Sequence, residues 1–180
     1  MAIAPTVERE LLRSGLDFQL VHHRLTHFSL ESARAARVSP THVVKAVVLG
    51  NGFGQLLALV PADAVLDLEE LRAQTGRELR LAREEEAALL FHDCRLGAYP
   101  ALGPAYGIET WVDERLAETA HLFFEAGDHE LLVRLETQDF LRLLGEVNYG
   151  HFSGPGLTAP LRRSARSVCT PEATTNASHH

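Results

Sequence analysis

The chain has 180 residues, 46% hydrophobic and 23% charged, with a formal net charge of −7. This length suits one compact domain with a single well-formed core, and the balance is that of an ordinary soluble globular protein. Its longest apolar runs, about five residues, fall far short of the roughly 20 that cross a bilayer, and its acidity argues against a protein that coats nucleic acid non-specifically.

The opening stretch, MAIAPTVERELL, places acids where a secretory signal needs an apolar segment. Cys94 and Cys169 lie far apart with no CxxC spacing, so neither a disulfide framework nor a zinc knuckle is indicated. The expected compartment is the cytoplasm.

Taken in chain order, a first helix is predicted from Thr6, with Thr6 as its cap, acids in the first turn and Gly15 as its stop. DFQLVH at 17–22 alternates like a strand. SLESARAAR reads as an Ala-rich helix capped by Ser29 and ended before Pro40. Val43–Leu49 and Gln55–Val60 flank a glycine-rich turn and read as a hairpin. Asp67 is placed to cap a helix that Gly76 closes, and a short strand near Glu78–Leu81 and a helix at Arg83–Leu90 follow.

Residues 91–107, FHDCRLGAYPALGPAYG, form a glycine- and proline-rich loop long enough to suggest function. Strands are predicted at Ile108–Val112, His121–Glu125 and Leu131–Leu135, and a last helix runs from Thr137 to Gly145. Beyond residue 154 the composition becomes that of a flexible tail. Short strands, hairpins and interspersed helices favour an α+β fold on a curved mixed sheet over a doubly wound parallel one. The sequence has neither a GxGxxG opening a helix nor a Walker loop, so a dinucleotide or nucleoside triphosphate is unsupported.

One residue stands out. Lys45, the third letter of VVKAVVL, is the only lysine in a chain with 16 arginines. On a strand it shares a face with Val43, Val47 and Leu49, and an unpaired ammonium there costs several kcal/mol. Three outcomes are open: the stem snorkels to a rim, the amine pairs with a carboxylate, or it lines a wet pocket and meets an anion. A slim point charge with a movable pKa differs in kind from the fixed fork of arginine. Arg24, Arg34, Arg37 and Lys45 fall close together, as do Arg162, Arg163 and Arg166, and solvated surface arginines explain both groups adequately. His22, His23, His27 and His129 accompany no HExxH or CxxC motif, and surface or capping roles suit them better than a metal. Cys94, just before the loop, is more simply a buried thiol than a nucleophile.

Taken together and in order, the histidine-bearing strand LVHH, the helix SLESARAARV, the strand VVKAVVL, LVPAD, LDLEEL, the loop GAYPALG, AYGIETWVDERL, FFEAGDHELLVRL and the helix QDFLRLL resemble the YbaK and prolyl-tRNA-synthetase-associated editing domains over roughly residues 5 to 153. The resemblance implies a curved mixed sheet, open and barrel-like, flanked by helices, with an editing domain at 1–154 and a tail at 155–180. It implies an aminoacyl-tRNA deacylase in which Lys45 is the catalytic residue. Substrate-binding residues would be His22, then Gly97, Pro100 and Gly103 of the loop, then Gly127, Asp128 and His129 of the turn GDH. No metal or cofactor is implied; the partners are a mischarged aminoacyl-tRNA and an aminoacyl-tRNA synthetase, with no DNA and no membrane. One position departs: Ala101 stands where the family loop often has a second proline, which bears on the loop's rigidity. A non-catalytic module that binds the aminoacyl or tRNA end, and an esterase or amidase using Cys94, are the competing expectations.

Overall fold

The computed structural model describes residues 3–52 and 54–156, so most of the expected tail, including Cys169 and the arginines from Arg162 to Arg166, lies outside the described residues. The helices are α1 (Pro5–Ser14), α2 (Ser29–Ala36), α3 (Leu68–Thr75), α4 (Glu84–Leu90) and α5 (Thr137–Leu144). The strands are β1 (Gln19–His22), β2 (Val44–Gly50), β3 (Gln55–Pro61), β4 (Ala64–Leu66), β5 (Arg80–Leu81), β6 (Glu109–Asp113), β7 (His121–Glu125), β8 (Leu131–Glu136), β9 (Asn148–Gly150) and β10 (Ser153–Pro155).

A mixed five-stranded sheet runs β5-β2-β3-β6-β9, beside an antiparallel sheet β1-β8-β7 and a two-stranded ribbon of β10 and β4. Its β2–β3 hairpin is antiparallel, whereas β6 adds parallel to β3 and β9 parallel to β6. A parallel bridge between Val43 and Phe123 joins the two larger sheets. Among the described residues the sheets do not close into a barrel. The architecture is the mixed α+β arrangement that the sequence led us to expect.

The central strand is β3, buried on both faces. Leu57 and Leu59 enter the main core with Leu11 and Phe140, while Leu56, Ala58 and Val60 enter a second core with Leu71, Leu79 and Phe152. Each such side chain removed from water stabilises the fold by about 1.5–3 kcal/mol. Strand β2 is less enclosed than its apolar sequence suggests: β3 lines its whole length, but β5 reaches only Leu49 and Gly50. The end that carries Lys45 therefore turns toward β7.

Two caps differ from expectation. Pro5 takes the first position of α1, so Thr6 lies inside the helix and its N–H is met instead by Asp93 Oδ2 at 2.8 Å. Ser29 is the first residue of α2, and Phe28 holds the cap position. Asp67 does cap α3, accepting from the Glu70 N–H at 3.0 Å, and Gly76 ends it in a left-handed conformation.

Candidate active site

Lys45 opposes Val60 in the β2–β3 ladder. Alternation puts it on the side of Val43, Val47 and Leu49, over which the chain folds back after β3. That reversal is fixed by the Ala62 N–H, which donates to the Val43 carbonyl at 2.8 Å. It brings the first carbonyl of β4 over the amine: Lys45 Nζ donates to the Ala64 oxygen at 2.6 Å. The side chain is half-buried. Burial lowers its pKa, and the nearby Asp63 opposes that shift. Among the described residues no carboxylate forms an ion pair with it, so the amine is neither buried in a salt bridge nor fully solvated. An ammonium has three donors, and Ala64 takes one.

The turn between β7 and β8 is built from Gly127, Asp128 and His129. Gly127 sits at φ 112°, where a side chain is strained, and a Cβ there would lie 2.7 Å from Ala4 Cβ, so only glycine fits. Asp128 Oδ1 accepts from the N–H groups of Glu130 and Leu131, both at 3.0 Å, and locks the turn. His129 is buried in a left-handed conformation at φ 68°. Its Nε2 lies 2.7 Å from the Leu96 carbonyl and must carry the proton. A Cβ on Gly97 would meet the His129 ring at 3.5 Å, and the His27 ring packs edge-on at 5.2 Å. The loop and the turn are thus one unit, tied again by the Arg95 N–H to the Gly127 carbonyl at 2.8 Å.

A buried polar chain that sequence reasoning missed backs this unit. Ser32 Oγ donates to Glu125 Oε1 at 2.7 Å and lies 2.8 Å from Thr26 Oγ1, and the Thr26 N–H donates to the His129 carbonyl at 3.2 Å. Glu125, Ser32 and Thr26 are all buried. Burial pushes the Glu125 carboxyl above its ordinary range; Ser32 and His23 oppose the shift and Asp128 adds to it. Glu125 Oε2, Asp128 Oδ2 and His23 Nε2 are buried without a protein partner. The signal available was an acid ending the apolar run HLFFE, directly before the turn.

Because the Val43–Phe123 bridge is parallel, Lys45 and Glu125 each stand two residues further along the same direction. The bridge thus ties the strand that carries Lys45 to the hairpin that carries the His129 turn, and the two chains run the same way from it. The other expected residues are placed differently. His22 is exposed on β1 opposite Leu131, and it is the neighbouring His23 that turns a ring atom inward. Pro100 and Ala101 are buried, and Gly103 is packed so tightly that a Cβ would collide with Thr110 Oγ1. Gly97 alone of the three loop positions is exposed. Cys94 hydrogen-bonds with Tyr106 and Asp93, and burial pushes its thiol up to about 12. At neutral pH it holds its proton, which disfavours the thiolate that a nucleophile needs. Among the described residues no group of three His, Cys, Asp or Glu side chains could hold a metal ion, and no helix is long and apolar enough to cross a membrane.

The fold recurs in solved structures. The hypothetical protein APE2540 superposes with a TM-score of 0.72 at 23% identity, covering 83% of this chain and 99% of that one. A protein provisionally named a trans-editing enzyme for prolyl tRNA synthetase superposes with a TM-score of 0.72 at 24% identity, covering 85% of this chain and 99% of its own. A provisionally named signal transduction protein from Marinobacter aquaeolei VT8 gives a TM-score of 0.67 at 23% identity, covering 82% of this chain but 30% of that longer one. At such identities the likeness establishes the fold alone. No curated protein sequence matches this one. The profile of the aminoacyl-tRNA editing domain matches residues 23–143, well over half of the sequence and the segment that holds Lys45, Gly97 and His129. The chain belongs to the aminoacyl-tRNA editing domain family.

Proposed function

We propose that the protein is a trans-editing deacylase that hydrolyses the ester joining a wrong amino acid to the terminal ribose of a tRNA. The observation that carries this reading is Lys45: the sole lysine, half-buried on β2, without an ion-pair partner among the described residues, and next to the parallel bridge that ties its strand to the hairpin of the His129 turn.

Water adds to the ester carbonyl carbon, the bond to the ribose oxygen breaks, and that oxygen leaves with a proton. Charge builds on the carbonyl oxygen, and N–H groups of a loop with an exposed glycine can meet it without a side chain in the way. Lys45 holds a phosphate or ribose oxygen and so orients the ester; it does not attack. The substrate's own ribose hydroxyl or amine orders the water. Such hydrolysis serves translation fidelity because a synthetase pocket separates near-isosteric amino acids by only about 1–3 kcal/mol. Arg24, Arg34 and Arg37 are exposed on the loop before α2 and at its C-terminal end, where they can meet tRNA phosphates despite the acidic body. A synthetase or a tRNA-bound partner delivers the substrate in the cytoplasm. The editing unit covers the span 1–154 together with the close of β10, which straddles that boundary.

One observation favours a second reading, a non-catalytic module that holds the tRNA end: the Lys45 amine already serves the Ala64 carbonyl. Incubating the purified protein with a panel of mischarged tRNAs separates the two. Release of free amino acid from at least one of them supports the deacylase, whereas saturable binding with no release supports the module.

A further inference from the structure

The ribbon that anchors Lys45 depends on residues beyond the segment that matches the family profile. Lys45 bonds to the carbonyl of Ala64, and Ala64 belongs to β4, whose strand partner is β10 in the register Pro155 to Ala64, Gly154 to Val65 and Ser153 to Leu66. The ribbon is fixed at both ends. At one end the Phe152 ring is buried in the second core, its N–H donates to Asp113 Oδ2 at 2.9 Å, and its carbonyl accepts from the Asp67 N–H at 2.7 Å. At the other the Gly156 N–H donates to the Asp63 carbonyl at 3.1 Å. A Cβ on Gly156 would lie too close to that same oxygen, so the backbones approach as only glycine permits. Asp63 and Ala64, the residue whose charge acts on Lys45 and the residue that bonds it, are thus clamped from the far side by Pro155 and Gly156.

We propose that the strap from Phe152 to Gly156 is a positioning element for the editing reaction, with Gly156 setting where the Asp63–Ala64 backbone stands and therefore where the Lys45 amine points. This rests on the deacylase reading for its functional consequence but not for its geometry. Loosening the strap lets β4 lift, admits water to the amine and frees the side chain to adopt other rotamers. The group that orients the ester is then no longer held in one place, and a displacement of about 1 Å is enough to cost on the order of 10²-fold in rate.

The sole lysine makes the test unambiguous, because lysine labelled with carbon-13 at the ε position gives one side-chain signal in the full-length chain. Gly156→Val and the milder Gly156→Ala press on the Asp63 carbonyl, whereas Gly54→Ala, outside the strap and with only the Arg77 side chain at 4.0 Å from a built Cβ, is the control. In both Gly156 variants the Lys45 signal should shift and its titration midpoint rise toward the ordinary lysine value. Single-turnover deacylation should fall about tenfold or more, with its pH profile displaced and the β2–β3 amide signals unchanged. Gly54→Ala should leave the Lys45 signal, its titration and the deacylation rate in place. If the β10 amides move in the Gly156 variants while the Lys45 signal, its titration and the pH profile stay put, the strap does not position Lys45. If the Lys45 signal responds but wild type releases no amino acid, the strap's hold stands and the deacylase reading falls.

Discussion

Val43 and Phe123 face each other across a single parallel bridge, and it joins the strand that bears Lys45 to the hairpin that bears His129. Parallel direction is what matters: β2 and β7 run the same way from it, so Lys45 and Glu125 each stand two residues beyond it. Asp63 acts on Lys45, while burial, Ser32, His23 and Asp128 act on Glu125, so the two groups answer to different neighbours.

The charge on Lys45 opposes folding. Burial lowers its pKa in the folded chain, so the penalty is fully present below the folded pKa and disappears above the ordinary value of about 10.4. Lys45→Met should therefore be as stable as wild type or more so at pH 7 in denaturant titration, while losing activity on the order of 10²-fold. Lys45→Arg should not restore activity, because a planar fork does not replace a slim ammonium against the Ala64 carbonyl.

Glu125 has the opposite charge and its own pH window. Its folded pKa is raised, so the folded chain holds that proton more tightly, and a penalty grows as pH rises from the unfolded value of about 4.3 through the folded one. Glu125→Gln keeps a partner for Ser32 and carries no charge. Its melting temperature should gain on wild type between pH 4 and pH 7; a constant difference across that range would mean that Glu125 is ionised without cost. Glu125→Ala should instead lose about 1–3 kcal/mol by removing the carboxylate acceptor of the buried Ser32 hydroxyl and leaving a void in its place.

Two glycines separate backbone strain from lack of space. Gly107 has φ 69° and nothing within 4 Å of a built Cβ, so Gly107→Ala should cost about 1 kcal/mol, the conformational part alone. Gly127 has φ 112° with Ala4 Cβ at 2.7 Å, so Gly127→Ala should cost at least twice as much and perturb the His129 turn. Equal costs in denaturant titration would show that α1 yields freely at Ala4.

Cys94→Ala should leave deacylation within about twofold of wild type, since a thiol held near 12 is protonated at neutral pH. Peptide mapping after iodoacetamide treatment at pH 8 should find Cys94 largely unmodified in the folded protein. Rapid alkylation there, with loss of activity, would return the thiol to the reaction.

Much of this was legible in the sequence because it is local. The hairpin around residues 50–54, the Asp67 cap, the helix from Thr137 and the family resemblance all follow from turn residues, periodicity and ordered motifs, and each is present. The oddity of Lys45 was visible too, but its anchor was not. β4 has three residues and β10 contains glycine and proline; neither has strand character of its own, and each exists because the other lies beside it. The cap of α1 failed for the same reason: the Thr6 N–H is met by Asp93, 87 residues away. The chain from Thr26 through Ser32 to Glu125 likewise joins an irregular loop, a helix and a strand that only tertiary packing brings together.

The most direct measurement is single-turnover release of amino acid from a panel of mischarged tRNAs by wild type, Lys45→Ala and Cys94→Ala, each verified as folded by circular dichroism. We expect wild type and Cys94→Ala to clear at least one mischarged tRNA at comparable rates, and Lys45→Ala to fail on it. Undiminished release by Lys45→Ala would contradict the central role given to that amine.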